Sequence, residues 1–437
     1  GKKMKYIALT IGPIYKTLKN AKKPKDLFAS SYIFSYIMKN IIKEFKDRTF
    51  ITPYIKDESI FDENSPVGLF HDRFIFESID GDLSKLEMII INVCNDIASQ
   101  LRLEHHQVKE YLQIHYFEKE LDNSKNPILE LTPYLDTKEL FFQISQDETF
   151  AKSLRRKKGD DDNFLTAGKN IIDDLKKLSH NNYYCVVHAD GDNMSKAIED
   201  KNKIENVSKN LFEYCKESNK LIKDFGGQTI YAGGDDLLFF APVLNKDKNK
   251  TIFELCEKIS NIFNTKIPSA TLSFGISINY VKFPLYEAVE NSRELLFAKA
   301  KNDQRNNIAF NVTKHSGQSF ETIINKSNKE VYDNFLVFTS NIKGGEDMDN
   351  FLHSIHHKID TYKTTINLIA NNKEKLQNFF DNYFNESIHK EYKSFFESLI
   401  DFIYVVYQDK TIKNKLELIY ATLRFVKFVQ GDKKWNI

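Results

Sequence analysis

The 437-residue sequence is poor in cysteine and tryptophan, has no long apolar run and has no excess of either charge. Its four cysteines lie far apart without a C-x-x-C pair, which argues against a disulfide framework or a zinc ribbon and favours a reducing, cytoplasmic setting. The chain has 62 Lys and Arg residues and 61 Asp and Glu residues, so we expect no binding of nucleic acid by bulk charge alone, with local basic faces as the alternative. No stretch approaches the roughly 20 apolar residues of a membrane span, so we expect no membrane contact.

Hydrophobic residues make up 41% of the chain, enough for several packed cores, and the length predicts about three domains. Two stretches repeat one order of predicted elements: strand, helix, strand, strand, helix, strand. In the first, residues 4–118, we expect a hairpin around His71-Asp72. In the second, residues 183–314, a hairpin surrounds Gly233-Gly234-Asp235-Asp236. The repeated order predicts an α+β fold with two tandem ferredoxin-like domains.

Residues 119–182 are more polar, and we interpret them as a linker with helical parts and without zinc-binding cysteines. The run Arg155-Arg156-Lys157-Lys158 continues into Gly159-Asp160-Asp161-Asp162. Such mixed charge is typical of a solvated loop, with a contact to RNA phosphate as the alternative. After residue 314 we expect no further strand, and apolar residues at helical spacing predict a C-terminal helical bundle over residues 315–437, which we assign to docking.

Two acidic segments carry the chemistry. Asp190-Gly191-Asp192 directly follows a strand, and Gly233-Gly234-Asp235-Asp236 forms the tip of a hairpin. In a ferredoxin-like domain the end of the first strand lies beside the tip of the central hairpin, so we expect Asp190 to meet Asp235 and Asp236. The paired glycines permit a tight turn with positive φ and let a triphosphate approach the backbone.

Three neighbouring carboxylates repel one another and would be neutralised by burial unless a cation is present. Oxygen ligands suit a hard divalent cation, so we expect Mg²⁺ or Mn²⁺, shared with nucleotide phosphates. A pair of such ions would activate a 3′-hydroxyl and stabilise the leaving pyrophosphate. A lone G-G-D-D is also common in ordinary hairpins, and the acid at the strand end is what favours catalysis. Two later segments fit the same site: a strand, Ala270–Ser277, with a small residue facing the nucleotide, and a helix end, Ala298–Lys301, from which a lysine can reach a triphosphate.

These residues resemble a known family. Asp190–Asn311 looks like the palm domain shared by GGDEF-type nucleotidyl cyclases and by the large subunit of type III CRISPR effector complexes. The CRISPR subunit is more similar, because it has G-G-D-D and because Leu237 stands where the cyclases have Phe. It also carries two palms in tandem, the first without acids. Tyr6–Ile14 and Asp26–Ser35 resemble the opening of that first palm in the Cmr-type (III-B) branch.

The resemblance implies a subunit that binds two ATP molecules between its palms. When its complex captures target RNA, it would join them 3′ to 5′ into cyclic oligoadenylate messengers. The implied partners are the other subunits of the complex, guide RNA and target RNA. The implied site residues are Asp190, Asp235 and Asp236 for metal binding and catalysis, and Gly191, Gly233, Gly234, Ser273 and Lys299 for nucleotide binding.

The chain departs from the family's pattern in two ways. Many members begin with an HD nuclease domain, whereas here the first palm begins at about residue 5. We therefore expect no such nuclease and interpret His71-Asp72 as a polar turn. The zinc element with four cysteines that is usual between the palms is missing, so we expect no zinc.

Several alternatives stay open. Some relatives without the HD domain use ATP to adenylylate S-adenosylmethionine, so an AMP conjugate is an alternative product. A GGDEF-like dinucleotide cyclase would prefer GTP over ATP. A non-catalytic scaffold would hold partner proteins and guide RNA around a vestigial palm, and replacing its acids would change nothing.

Overall fold

Two β-sheets organise the chain, with helices packed against them and a helical region at the C-terminal end. The computed structural model describes residues 1–63, 65, 67–155, 163–302, 304–340 and 348–431. Within these residues, no helix combines the length and the apolar character needed to cross a bilayer. The predicted α+β class with two tandem ferredoxin-like units is confirmed by the topology described next.

The first unit is built on a four-stranded antiparallel sheet. Its elements are β1 (Lys3–Gly12), β2 (Phe50–Thr52), β3 (Arg73–Glu77), β4 (Gln113–Asp122), α1 (Ile14–Leu18), α2 (Pro24–Lys43), α3 (Asp82–Leu101) and α4 (His105–Tyr111). The strands lie in the order β2-β3-β1-β4, which is the ferredoxin-like arrangement for this chain order. The central strand β1 is a nearly continuous apolar run because both of its faces are covered.

The segment between the sheets contributes two helices, α5 (Pro127–Leu140) and α6 (Thr149–Ser153). Helix α5 packs Leu131 and Leu135 against Tyr6 and Ala8 of β1, so it covers one face of the first sheet. Strand β4 ends at Asp122 and therefore continues past the boundary expected at residue 118. Residues 156–162, which include most of the predicted basic and acidic run, lie outside the described residues.

The second unit repeats the same topology and extends it. Its elements are β5 (Tyr183–Asp192), β6 (Gln228–Gly233), β7 (Asp236–Pro242), β8 (Thr271–Tyr280), β9 (Asn307–Thr313), β10 (Ser319–Asn325), α7 (Met194–Ala197), α8 (Ile204–Phe225), α9 (Ile252–Lys266), α10 (Leu285–Glu294) and a π-helix (Leu295–Ala300). The order β10-β9-β8-β5-β7-β6 contains the ferredoxin-like set β8-β5-β7-β6, followed by β9 in parallel to β8 and then β10.

The C-terminal helices share their core with the second unit. They are α11 (Lys329–Thr339), α12 (Met348–Thr361), α13 (Lys363–Ile369), α14 (Lys373–Tyr383), α15 (Glu386–Glu391), α16 (Lys393–Gln408) and α17 (Lys415–Gly431). Phe425 of α17 and Phe335 of α11 both contact Phe253 of α9, with ring centroids 4.7 and 4.9 Å apart. The helical prediction for this region is confirmed, but the helices are not a separate core.

The expectation of no strand after residue 314 was wrong, because β10 pairs with β9 along its whole length. Its alternating burial, with Phe320, Thr322 and Ile324 inside, is the period of a half-buried edge strand. The sequence Ser319–Asn325 mixes polar and apolar residues, and a strand of this kind is easily mistaken for a loop.

The hairpin expected around His71-Asp72 does not form within the first unit. Gly68 instead makes an isolated parallel bridge with Tyr231, and the Ala232 amide donates to the Gly68 carbonyl at 3.0 Å. Strand β6 lies at the sheet edge and offers unpaired backbone groups, so pairing across the two units replaces pairing within one. This contact joins the first unit to the hairpin that carries the acids.

Candidate active site

The site lies at the end of β5 and at the tip of the β6–β7 hairpin. Gly233 pairs with Asp236, and Gly234 and Asp235 form the loop between them. Gly234 has a φ of 61°, a conformation that glycine adopts without a steric cost. A tight hairpin of this geometry places both acids of the tip at the sheet's end.

The strand register brings the third acid to the same point. Ala189 of β5 lies opposite Leu237 of β7, so Asp190 comes next to Asp236. A Cβ atom at Gly191 would lie 2.7 Å from Oδ2 of Asp235, so the carboxylate of Asp235 rests against the glycine backbone. We call Asp190, Asp235 and Asp236 the acid cluster. The convergence expected from the topology is therefore present.

Burial and electrostatic repulsion raise the pKa of two acids in the cluster, Asp190 and Asp235. Burial, together with the charges of Asp235 and Asp236, raises the pKa of Asp190 to about 7, although Lys301 acts in the opposite direction. Burial and the charge of Asp236 also raise the pKa of Asp235, although His71 and Lys301 oppose the rise. Carboxylates in this state favour a nearby cation.

Lys301 supplies a cation at this position. Its Nζ lies 2.7 Å from Oδ2 of Asp190 and 3.4 Å from Oδ1 of Asp192, and it donates to the Gly191 carbonyl at 2.7 Å. The Lys301 side chain is only 10% exposed, so solvent screens its ion pair with Asp190 only weakly. In the part of the chain that the structure describes, no three His, Cys, Asp or Glu side chains form a ready metal-binding group.

Asp192 and Ser273 lie behind the cluster. Asp192 is fully buried, and its Oδ2 accepts hydrogen bonds from Thr271 and Ser273, each at 2.8 Å, and from the Asn306 amide at 3.0 Å. Ser273 is itself fully buried, so its hydroxyl holds Asp192 and does not face the open side of the site. Ser273 was expected to face the nucleotide. It instead points to Asp192, because this buried carboxylate at the end of β5 needs hydrogen-bond donors.

Lys299 lies away from the acid cluster. It pairs with Glu321 on β10, whereas Lys301 contacts the acids. The lysine of this helix end that reaches the acid cluster is therefore Lys301, whereas the prediction named Lys299. The segment is a π-helix, and its altered residue spacing changes which side chain faces β5.

A histidine that the sequence reasoning missed, His188, contacts the acid cluster from the same strand as Asp190. Its Nε2 lies 2.9 Å from Oδ1 of Asp236, while its Nδ1 is buried and has no hydrogen-bond partner within the described residues. Residues two apart on a strand share a face, and this spacing from Asp190 was the available signal. A cavity of about 70 Å³ adjoins His188 and Asp236 and is lined by apolar side chains of both units, including Tyr15 and Phe70.

His71 and Asp72 reach the same place from the first unit. Nδ1 of His71 lies 2.8 Å from Oδ1 of Asp72, and the His71 ring lies over Gly234. Burial lowers the pKa of His71, but the charges of Asp72, Asp235 and Asp236 outweigh this effect and raise it to about 9. From the sequence we predicted only a polar turn for His71 and Asp72. No pattern in the first unit indicates that this turn lies against the second unit.

These features define a class of protein: two tandem ferredoxin-like units, with a palm-type acid cluster at the strand end of the second and, among the described residues, none in the first. Two family models agree with this description. The Cas10/Cmr2 second palm domain matches residues 183–309, and the CRISPR-associated protein Cmr2 N-terminal domain matches residues 6–110, together more than half of the chain. The chain belongs to the Cas10/Cmr2 family.

Individual relatives agree with this assignment. The CRISPR system Cmr subunit Cmr2 of Pyrococcus furiosus is 27% identical over 269 residues, which cover 51% of this chain and 29% of that protein. The chain thus spans less than a third of the length of this curated relative.

Two solved assemblies share the fold. The type III-B Cmr-beta complex bound to cognate target RNA matches with a TM-score of 0.59 at 10% identity, covering 98% of this chain and 83% of the matched chain. The Csm1–Csm4 cassette in complex with cA4 matches with a TM-score of 0.54 at 11% identity, covering 96% and 70%. The same cassette in complex with one ATP matches with a TM-score of 0.55 at 13% identity, covering 98% and 70%.

Proposed function

We propose that this chain is the nucleotidyltransferase subunit of an RNA-guided type III CRISPR complex. In this proposal, capture of target RNA starts the conversion of ATP into a nucleotide second messenger. The observation that carries the proposal is the convergence of Asp190, Asp235 and Asp236 at one strand end with Lys301 beside them. Relatives of the same fold support it, since they are described in complex with target RNA, with ATP and with cA4.

The donor set of the acid cluster fits a hard divalent cation. Its members offer carboxylate oxygens, and the raised pKa of Asp190 reflects burial and then the negative charges of Asp235 and Asp236, which Lys301 does not outweigh. Asp190, Asp235 and Asp236 would hold Mg²⁺ or Mn²⁺. Bound there, the metal would supply charge for the phosphates and lower the pKa of the attacking hydroxyl.

The surrounding residues have separate tasks in this proposal. Lys301 exchanges part of its contact with Asp190 for a phosphate oxygen, and so takes the role expected of Lys299. Gly191 leaves room for the carboxylate of Asp235, and Gly234 closes the turn. Gly233 lies against the Tyr231 ring, which a side chain at this position would displace. These contacts fix the acid positions before the nucleotide arrives, as electrostatic catalysis requires.

The proposed product is a cyclic oligoadenylate, or an AMP conjugate if S-adenosylmethionine is the acceptor. The proposed partners are the other subunits of a III-B complex, guide RNA and target RNA. The test uses the chain assembled with these partners, ATP and Mg²⁺ or Mn²⁺, with and without target RNA and S-adenosylmethionine. Mass spectrometry of the small molecules identifies the product.

Each outcome separates one reading from the others. Oligoadenylates without terminal phosphates, formed only with target RNA, support the cyclase. An AMP adduct that needs S-adenosylmethionine supports the conjugating enzyme. A cyclic dinucleotide made from GTP in preference to ATP supports the GGDEF-like cyclase. If no nucleotide product forms, the non-catalytic scaffold is the alternative that remains.

A further inference from the structure

A loop of the first unit delivers His71 to the acid cluster of the second. The loop is held on both sides of this residue by backbone hydrogen bonds. The Gly68 carbonyl accepts from the Ala232 amide at 3.0 Å, and the Asp72 carbonyl accepts from the Ile11 amide at 3.0 Å. One bond ties the loop to the hairpin of the acids and the other to the central strand of its own unit, so the position of His71 is set by both units.

The side chain of His71 is fixed at one nitrogen and available at the other. Nδ1 is paired with Asp72 at 2.8 Å, whereas Nε2 has no protein partner among the described residues. The ring atom Cδ2 lies 3.7 Å from the place that a Cβ of Gly234 would occupy. The side chain is 35% exposed beside the hairpin tip, so the His71 ring is within reach of a ligand bound there.

The proposed function brings phosphate oxygens to this tip. A divalent cation held by these acids would draw the phosphates of a nucleotide to the hairpin tip, and the His71 ring lies beside that tip. A histidine oriented through Nδ1 by a carboxylate presents Nε2 in a fixed direction. Charge-assisted hydrogen bonds to phosphate are stronger than neutral ones.

We propose that His71 is a phosphate-binding residue of this site, donating from Nε2 to the nucleoside triphosphate held at Asp190, Asp235 and Asp236, with Asp72 orienting its ring. The inference rests on the proposed function of the acid cluster. It adds a contribution from the first unit to nucleotide binding at the acid cluster of the second.

The test measures binding rather than turnover. The full chain with Mn²⁺ is titrated with the non-hydrolysable analogue AMPPNP and, separately, with adenosine, which has the base and ribose but no phosphate. His71→Phe keeps the ring shape without a donor, and His71→Gln keeps an N–H donor. His105→Phe is the matched control, because His105 is an exposed histidine of the same unit that contacts Asn95 at 2.6 Å.

We expect His71→Phe to weaken AMPPNP binding about 10–100-fold while adenosine binding changes less than about twofold, since the lost bond is to a charged group. His71→Gln recovers most of the affinity, and His105→Phe matches the wild type. Equal weakening for AMPPNP and adenosine would mean a structural role and overturn the inference, as would unchanged AMPPNP binding in His71→Phe.

The two proposals fail in distinguishable ways. If the wild type binds AMPPNP and makes product but His71→Phe binds as well as the wild type, only the role of His71 is refuted. If the wild-type chain does not bind AMPPNP with Mn²⁺, both proposals are refuted. If it binds but forms no product in the complete assembly, the proposed reaction is refuted and the binding data still decide the role of His71.

Discussion

The two ferredoxin-like units place opposite chemistry at equivalent positions. Strand β1 pairs Thr10 with Arg73 of β3, and in the second unit the matching neighbours at the strand end are Asp190 and Asp236. The first unit thus has a hydroxyl and a cation where the second has two acids. The same topology supports either arrangement, so the fold alone does not make a site.

What covers the strand end differs as well. In the first unit, Thr10 donates to Glu139 at 2.7 Å, and Arg73 donates to Glu139 at 3.0 Å and to Asp136 at 2.8 Å. Both acids belong to α5, which closes this end of the sheet with satisfied polar contacts. We call this the closed end. At the strand end of the second unit, which we call the open end, the acids of the acid cluster repel one another, and the positive charge of Lys301 offsets only part of this repulsion. The comparison suggests that one end is built for stability and the other for a ligand.

The largest expected effect comes from removing the acids at the open end. Asp235→Ala with Asp236→Ala should reduce product formation more than about 100-fold, because the proposed metal ligands are lost. The metal-free chain should keep its stability, because removing two acids relieves the like-charge repulsion that, together with burial, raises the pKa of Asp190. Product mass spectrometry and urea unfolding in EDTA measure the two effects. Loss of folding or of complex assembly in this variant would contradict the separation of site and core.

A second prediction concerns the space beside the acids. In Gly191→Ala the new Cβ would lie 2.7 Å from the carboxylate of Asp235, which must move. We expect product formation to fall about 10–100-fold, because small displacements of reacting groups are costly. Gly81→Ala is the contrasting control: Gly81 has a φ of 92° at a remote helix start with open space around it, so stability should fall by about 1 kcal/mol with the rate unchanged. Equal rates in the two variants would argue against the placement of Asp235.

At the closed end the expected effect is on stability. Arg73→Ala should lower the free energy of unfolding by about 1–3 kcal/mol, because Glu139 loses a charged partner in a partly buried place. Urea unfolding tests this result, with Lys5→Ala as a control that removes an exposed ion pair with Asp80 and should change the stability much less than Arg73→Ala does. If Arg73→Ala proved neutral, the two strand ends would not differ in the way described.

The smallest effect is a pH dependence of the metal-free chain. The pKa of Asp190 is about 7 in the folded chain, against an ordinary value of 3.8. The folded chain therefore holds this proton more tightly, and the stability from it is present below about pH 4 and lost as the pH rises through about 7. Between pH 6 and 8 in EDTA, we expect the wild type to lose about 1–2 kcal/mol more than Asp190→Asn. The same loss in both proteins would mean that another group is responsible.

Much of the architecture could be predicted from the sequence, because apolar patterning fixes the core strands. The order of the elements, the tight turn at Gly234 and the meeting of Asp190 with the hairpin acids all follow from local patterns and a known topology. Contacts between the two units could not be predicted in this way. The prediction of a hairpin at His71-Asp72 was wrong, because Gly68 pairs with Tyr231 of the second unit instead.

The errors within the site have the same origin. Ser273 and Lys299 were chosen by residue type and approximate position, but which side chain faces the site depends on the buried Asp192 and on a π-helix. His188 and Lys301 contact the acids because of the face of the strand or helix on which each lies, and no short sequence motif indicates that face. Local patterns therefore indicate where the acids lie, but not which side chains contact them.

The most direct test of the central claim is a Mn²⁺ titration in the presence of AMPPNP, followed by electron paramagnetic resonance, on the wild type and on the variant with Asp235→Ala and Asp236→Ala. We predict that the wild type binds about two Mn²⁺ ions with the nucleotide analogue, as a two-metal site requires, and that the variant loses them while remaining folded. Equal Mn²⁺ binding by the two proteins would contradict the claim that the acids at the open strand end form the metal–nucleotide site.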